Sequence, residues 1–414
     1  MLRLFKVSSV FFMVFISLGL TQQRLQVCDS CQFSTLQEAL VAAQEGDTIV
    51  VQAGLYAEGE LLIDKSLTLL GEGWPILDGQ NEFQIMTISA NDVTVQGFIF
   101  QNSGVSHIAD LAALKTLDVE GCVINHNRFV DNFFAIYLAK TRHCEVGHNE
   151  VSSNASSEIF SGNAVHLWDC YDVHIHNNTL SGHRDGIYLE FLRGAVIEDN
   201  LSNHNLRYGL HFMFSDDNVF RDNSFVNNGA GVAVMYSKKT TMVGNTFEDN
   251  WGSSSYGLLL KEINDSTVMN NSFAGNTVAI YVDGSNRTDI AQNDFAANGY
   301  ALRLLSSSQG VRIMHNNFTG NTFDVTTNAS RSYNAFLENH WSAYEGYDLD
   351  RDLVGDVSYR PISLFTLTVE NYPQAVILLR SPLQQFMDYA ERVLPLFTPK
   401  AIEDDRPLMR RLIW

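Results

Sequence analysis

The 414-residue chain sets 27 Lys and Arg against 47 Asp and Glu, a net charge of −20. That sign repels phosphate backbones and anionic lipid, which argues against nucleic acid as a partner and favours cations and basic protein surfaces. Length alone does not count domains, because a repeat architecture grows by adding like units.

In chain order, residues 1–21 carry Arg3 and Lys6 ahead of an apolar stretch that ends at Leu20, the layout of a signal peptide, with cleavage near Leu20 to Arg24. Export to an oxidising compartment makes Cys28-Asp-Ser-Cys31 a small surface disulfide in preference to half a zinc site. Residues 28–121 read as an N-terminal cap and first rungs. Within them an amphipathic helix begins near Phe33, with Ser34 or Thr35 as its cap, and feeds a strand through Gly46-Asp47.

Residues 122–345 repeat the unit Asn-x-apolar-x-x-Asn, with starts at Asn127, Asn149, Asn223, Asn245, Asn271, Asn293 and Asn316 and looser copies at Asn178, Asn200 and Asn339. The spacings are 22, 29, 22, 23, 22, 26, 22, 23 and 23 residues, the sequence signature of a solenoid. Each period holds three short β-like pieces punctuated by Asn and Gly, which predicts an all-β fold: a parallel β-helix of about 22–23 residues per rung, right-handed by the general rule for parallel crossovers. Three residues before each Asn stands a core column that includes Ile124, Val146, Phe220 and Met242. Two after it runs a second, from Phe129 to Trp341. The Asn itself reads as a structural ladder placed at left-handed corners.

In the third strand of each rung the outward positions form two columns. One contains His166, Tyr188 and His211; the next contains Trp168, Glu190, Met213 and Met235. Rungs about 4.8 Å apart place Met213 beside Met235, with Glu190 one rung back and His211 alongside. Two thioethers and an imidazole suit Cu(I), a soft ion, and His166 extends the patch. The same register turns Phe212 and Phe214 inward. His183 and His204 stand at nearby corners. Cys122 and Cys144 share a column with Val173 and Ala195 and read as small core hydrophobes.

Residues 346–361 form an acidic loop closing the solenoid, in which Asp348, Asp350, Asp352 and Asp356 resemble a calcium loop with Leu353 in place of the expected Gly. Residues 362–414 are a C-terminal segment. There Pro382 opens a helix with Leu383, Phe386, Met387, Ala390, Val393 and Leu394 on one face, a stripe that either closes the last rung or docks on another protein. An enzyme on this scaffold would be a lyase or epimerase acting on uronate polymers, and Asp216-Asp217 and His183-Arg184-Asp185 are the outward clusters of the needed type.

The runs Asp185-Gly-Ile-Tyr-Leu-Glu-Phe, Leu206-Arg-Tyr-Gly-Leu-His-Phe-Met-Phe-Ser-Asp-Asp-Asn, Gly231-Val-Ala-Val-Met-Tyr-Ser and Tyr256-Gly-Leu-Leu-Leu-Lys-Glu-Ile, with the acidic loop after Gly346, resemble the NosD family. The resemblance spans essentially the whole chain, and the segment around His211 and Met213 is its most specific part. It implies a periplasmic, copper-binding, non-enzymatic accessory protein that works with the ATPase and permease of an ABC transporter. It further implies a role in assembling the copper–sulfur centre of nitrous oxide reductase, with a copper chaperone as another partner. Membrane association would then come through the permease, contacted by the C-terminal helix.

Overall fold

Short β-branched and aromatic segments separated by residues that tolerate positive φ bend the chain three times per period and stack the periods on one another. The computed structural model describes residues 22–106, 108–329, 331–393 and 401–414; the signal peptide expected over residues 1–21 and Leu394 lie outside them. Among the described residues, the strands form three parallel sheets of 14, 13 and 12 strands, each strand paired with its equivalents on neighbouring turns. One turn contributes Val123–Asn125 to the first sheet, Arg128–Val130 to the second and Phe134–Ala139 to the third. This is the parallel β-helix that the repeat predicts.

Both expected columns are core. Ile124, Val146, Ile175, Ile197, Phe220, Met242 and Val268 are fully buried in the first sheet. In the second, Phe225, Phe247, Phe273, Phe295, Phe318 and Trp341 stack ring on ring with centroids 4.2–5.5 Å apart. Offset stacking of this kind adds to the area that each ring buries.

The motif asparagines run unbroken from Asn127 to Asn339 as a buried ladder. Asn223 is representative. Its Oδ1 accepts from the backbone N–H and the side-chain Nδ2 of Asn200, both at 3.0 Å, and its Nδ2 donates to the Ile197 carbonyl at 2.9 Å and to Asn245 Oδ1 at 3.0 Å. The left-handed residue is not the asparagine, as expected, but the residue before it: His126, His148, Asn177, Asp199 and Asp222 all have φ near +50°. This division lets the corner turn while the amide stays inside, where it satisfies backbone groups that the turn leaves unpaired.

The ends are closed by different devices. Helix α1 (Leu36–Ala42) buries Leu36, Ala39 and Leu40 under the first turn, and its N-cap Thr35 accepts from the Glu38 N–H. The adjoining Cys28–Cys31 disulfide is formed. At the other end the C-terminal residues fold back, and buried Asp404 takes the next place in the ladder: its Oδ2 accepts from Asn339 N, Asn339 Nδ2 and Trp341 Nε1 at 3.0–3.1 Å. Helix α2 (Leu364–Asn371) packs Phe365 and Val369 on Phe323. Helix α3 (Pro382–Val393) follows. No helix among the described residues is long and apolar enough to cross a membrane.

Two core expectations are corrected. Cys122 and Cys144, read as unbridged thiols, are joined in a disulfide, because equivalent positions on paired turns stand 4.6 Å apart at Cα, within the span of such a bond. Phe214 does not point inward: its φ of +50° at the end of the strand Tyr208–Met213 swings the ring outward, and it is 44% exposed.

The ladder supports a direct test. Asn223→Ala strands the buried Asn200 N–H and removes five hydrogen bonds, and is expected to destabilise the protein by about 3 kcal/mol, read as a lowered midpoint of urea unfolding; a midpoint equal to wild type would show that the ladder is dispensable.

Candidate functional site

The third sheet carries the outward columns in the expected register. Tyr137, His166, Tyr188, His211 and Ala233 are successive partners, as are Ala139, Trp168, Glu190, Met213, Met235 and Lys261. Met213 therefore lies directly between Glu190 and Met235 on one wall, and all three side chains are partly exposed. The Tyr188 hydroxyl donates to Met213 Sδ at 3.5 Å.

His211 faces outward yet is only 6% exposed, because its neighbours wall it in. Tyr188 meets it edge-on at 5.1 Å and Tyr208 lies 4.7 Å away. Below it Asp185, fully buried, is held by a two-pronged contact from Arg207, Nε to Oδ1 at 2.9 Å and Nη2 to Oδ2 at 2.6 Å. Arg207 Nη2 also approaches His211 Nδ1 at 3.4 Å. His211 Nε2 is buried without a partner. Burial pushes the His211 pKa down to about 4, against a smaller opposing pull from Asp185, so the imidazole is neutral at pH 7 and has a lone pair to give.

His166 lies two turns away from His211 along the column, with Tyr188 between them. Its ring is sandwiched by Tyr137 at 4.3 Å and Tyr188 at 4.9 Å, and Nδ1 contacts Asn163 Nδ2 at 2.9 Å. Burial lowers its pKa to about 3. His166, Tyr188, Glu190, Arg207, His211 and Met213 line one cleft of about 380 Å³. The structure thus gathers His166, Glu190, His211 and Met213 around one cleft, with Tyr188 between the two imidazoles, and sets Met235 beside Met213 on the next turn, outside that cleft.

Sequence reasoning missed the Asp185–Arg207 pair as the footing of His211. The expected outward cluster His183-Arg184-Asp185 is not outward: His183 and Asp185 are fully buried, and Asp185 opens the strand Asp185–Glu190 opposite Tyr208. The available signal was a carboxylate and a guanidinium on adjacent turns, one residue out of register. The other acids weighed for catalysis are also engaged: Asp216 pairs with Lys238 at 3.7 Å and Asp217 with Lys239 at 3.6 Å. His204 is exposed at its corner.

In the acidic loop, carboxylate oxygens of Asp348, Asp350 and Asp352 lie within 4.8 Å of one another. Asp348 accepts from the backbone N–H groups of Arg351, Asp352 and Leu353. Asp356 is not part of that group; its Oδ2 accepts from the Leu349 N–H at 2.6 Å. Leu353 takes φ +71°, the conformation that the missing glycine would favour. These bonds account for the loop as a turn. The stripe on α3 is divided: Met387 packs on the cluster of Phe323, Phe365 and Val369, while Leu383 and Phe386 are 50% and 67% exposed. Ala390 is half-buried.

The sequence profile of a family described as periplasmic copper-binding protein (NosD) matches residues 81–205 and 157–346. A Pseudomonas aeruginosa protein named probable ABC transporter binding protein NosD is 31% identical over 377 residues, 86% of this chain and 87% of that protein. The chain belongs to the NosD family. A Stutzerimonas stutzeri protein of the same name is 29% identical over 86% of each chain. Among solved structures, the catalytic domain of a GH87 α-1,3-glucanase superposes with a TM-score of 0.62 at 10% identity, covering 77% of this chain and 69% of that one. That likeness is one of fold alone. The NosD profile contains the whole His211–Met213–Met235 wall and ends at residue 346, ahead of the acidic loop and α3.

A further buried imidazole bears on stability. His183 replaces an asparagine in a second corner ladder, where its N–H donates to Asn205 Oδ1 at 3.2 Å, and its fully buried ring faces the backbone of Gly162 and Phe133. Burial lowers its pKa to about 4. The unfolded chain, with an ordinary pKa of about 6.5, takes up a proton that the folded state refuses, so stability is lost as pH falls from 6.5 towards 4. His183→Asn is expected to flatten that dependence, with a smaller drop in Tm than wild type across the window; equal slopes would refute the assignment.

Proposed function

We propose that this protein is a non-enzymatic periplasmic accessory protein that holds Cu(I) as cargo for the copper–sulfur centre of nitrous oxide reductase, working beside an ABC transporter and receiving the ion from a copper chaperone. The reading rests on membership of a family described as periplasmic and copper-binding, and on the transporter-binding name of its relatives. The observation that carries the site is His211: a neutral, buried imidazole with an unpartnered Nε2 on the wall that sets Met213 next to Met235.

The donor set fits the ion. Thioether sulfur and imidazole nitrogen are the neutral, polarizable ligands that Cu(I) prefers over oxygen cages. Glu190, on the turn before Met213, supplies negative charge beside the ion. Tyr188 steadies Met213 through its hydroxyl, and the Arg207–Asp185 pair fixes the strand that carries His211. His166, behind Tyr188, is a support for that ring and not a ligand. The loop acids Asp348, Asp350, Asp352 and Asp356 enter this reading only as a turn, without calcium.

Anaerobic Cu(I) titration against a chromophoric competitor is expected to give tight binding by the wild type and a loss of about 100-fold or more in His211→Ala/Met213→Ala/Met235→Ala. Equal affinities would remove the site assignment.

The transporter is met, on this proposal, by the apolar surface at the C-terminal end. Leu383 and Phe386 project from α3, and Ile377, 84% exposed, projects from the preceding short helix Pro373–Leu378. Large exposed apolar side chains of this kind are what a buried interface requires. Ile377→Asp/Phe386→Asp is expected to abolish co-purification with the detergent-solubilised permease while Cu(I) affinity stays at the wild-type value. Undiminished co-purification would place the contact elsewhere.

A further inference from the structure

A different wall gathers a second set of metal-ligating side chains. In the first sheet, successive turns place Gln96, Asn125, Gly147, His176 and Glu198 in one outward column. The left-handed corner residues that follow Asn125 and Gly147 are His126 and His148, both exposed. Gly147 is the centre of the arrangement. A Cβ there would fall 2.5 Å from His176 Cε1, so its bare backbone is what lets the His176 ring lie across the rung.

From that position His176 Nε2 meets Glu145 Oε1 at 3.1 Å, and its ring meets His148 edge-on at 5.2 Å between centroids. His148 stacks on His126 at 4.7 Å, and His174 lies 4.3 Å from His176. Asn125 donates from Nδ2 to Glu145 Oε1 at 3.3 Å, and its Oδ1 is buried with no donor. Four imidazoles, a carboxylate and an orphaned amide oxygen thus lie side by side on three consecutive turns.

We propose that His126, His148, His176 and Glu145 form a site for a borderline divalent cation, Zn²⁺ being the representative, which staples those three turns together. Imidazole nitrogen and carboxylate oxygen are the donors that Zn²⁺ accepts, and the lack of sulfur sets this wall apart from the thioether wall of the third sheet. Outer contacts orient the ligands: Asn177 Oδ1 lies 3.0 Å from His176 Nδ1, and Glu198 holds His174 Nε2 at 2.8 Å. His126 and His148 are stacked on each other, so on this proposal their exposed rings must leave that stack by turning about their side-chain torsions to present nitrogen atoms to the ion.

The test uses tag-free, metal-stripped protein and Zn²⁺ in competition with a chromophoric chelator. Wild type is expected to bind Zn²⁺ and to gain thermal stability from it. His126→Ala/His148→Ala, whose exposed positions leave the circular dichroism spectrum unchanged, is expected to weaken binding by about 100-fold or more and to lose the Zn²⁺-dependent rise in Tm. His211→Ala/Met213→Ala/Met235→Ala is expected to bind Zn²⁺ as wild type does, which separates this site from the copper wall. Equal Zn²⁺ affinity in the wild type and the double histidine variant, or no binding by the wild type, would overturn the proposal.

Discussion

The solenoid depends on one repeated hydrogen bond, from the backbone N–H of each motif asparagine to the side-chain oxygen of the asparagine one turn on. Sheet hydrogen bonds hold strands side by side, but at each corner the backbone leaves the ladder and its polar groups are buried with no strand to meet. An amide side chain supplies both a donor and an acceptor, so a column of them satisfies one another and the carbonyls behind. A hydrophobic residue there would fill the space and leave the corner unsatisfied. The closing contact makes the same point: beyond Asn339 the fold ends the series with Asp404, which accepts three bonds in place of the next amide.

Fixed corners fix the register, and register makes the outer walls chemically meaningful. Residues about 22 positions apart become neighbours at the strand spacing of about 4.8 Å, so a feature such as Met213 beside Met235 is local in space although distant in sequence. The same rule places Cys122 over Cys144 and the imidazole of His148 over that of His126. The wall has little freedom to close around a ligand. Side chains, not backbone, supply what adaptability the surface has, and methionine, with three rotatable bonds, is the most adaptable of them.

Columns were legible in the sequence because each is a periodic property: Phe225, Phe247 and Phe273 announce a core stack, and the Met213–Met235 adjacency follows by counting. Features that depend on where a strand stops were not. Phe214 continues the alternation of Phe212, yet a left-handed turn at that residue reverses its side chain, and nothing in the local composition marks the reversal. The pairing of Asp185 with Arg207 escaped for a related cause, since the two lie one residue out of register. Cys122 and Cys144 were visible as a column but read by their chemistry as core; only the 4.6 Å Cα separation decides that they bond. Met387 separates from Leu383 and Phe386 because α2 and the preceding turn occupy one side of α3, which helical periodicity alone does not reveal.

If the third-sheet wall carries Cu(I) as proposed, its electrostatics suit a soft monovalent ion. His211 is neutral by burial, the methionines carry no charge, and the fixed charges beneath, Asp185 against Arg184 and Arg207, are already engaged with one another. Glu190 is the acid beside these ligands left to face a cation, and a doubly charged ion would still gain little, because its hydration shell is strong and thioethers replace it poorly. A singly charged polarizable ion gives up less water and takes more from sulfur. On that proposal the wall offers ligands from one side only, so the outer half of the coordination sphere would face outward, where a second protein would supply the remaining donors and exchange would proceed ligand by ligand without the solenoid having to open.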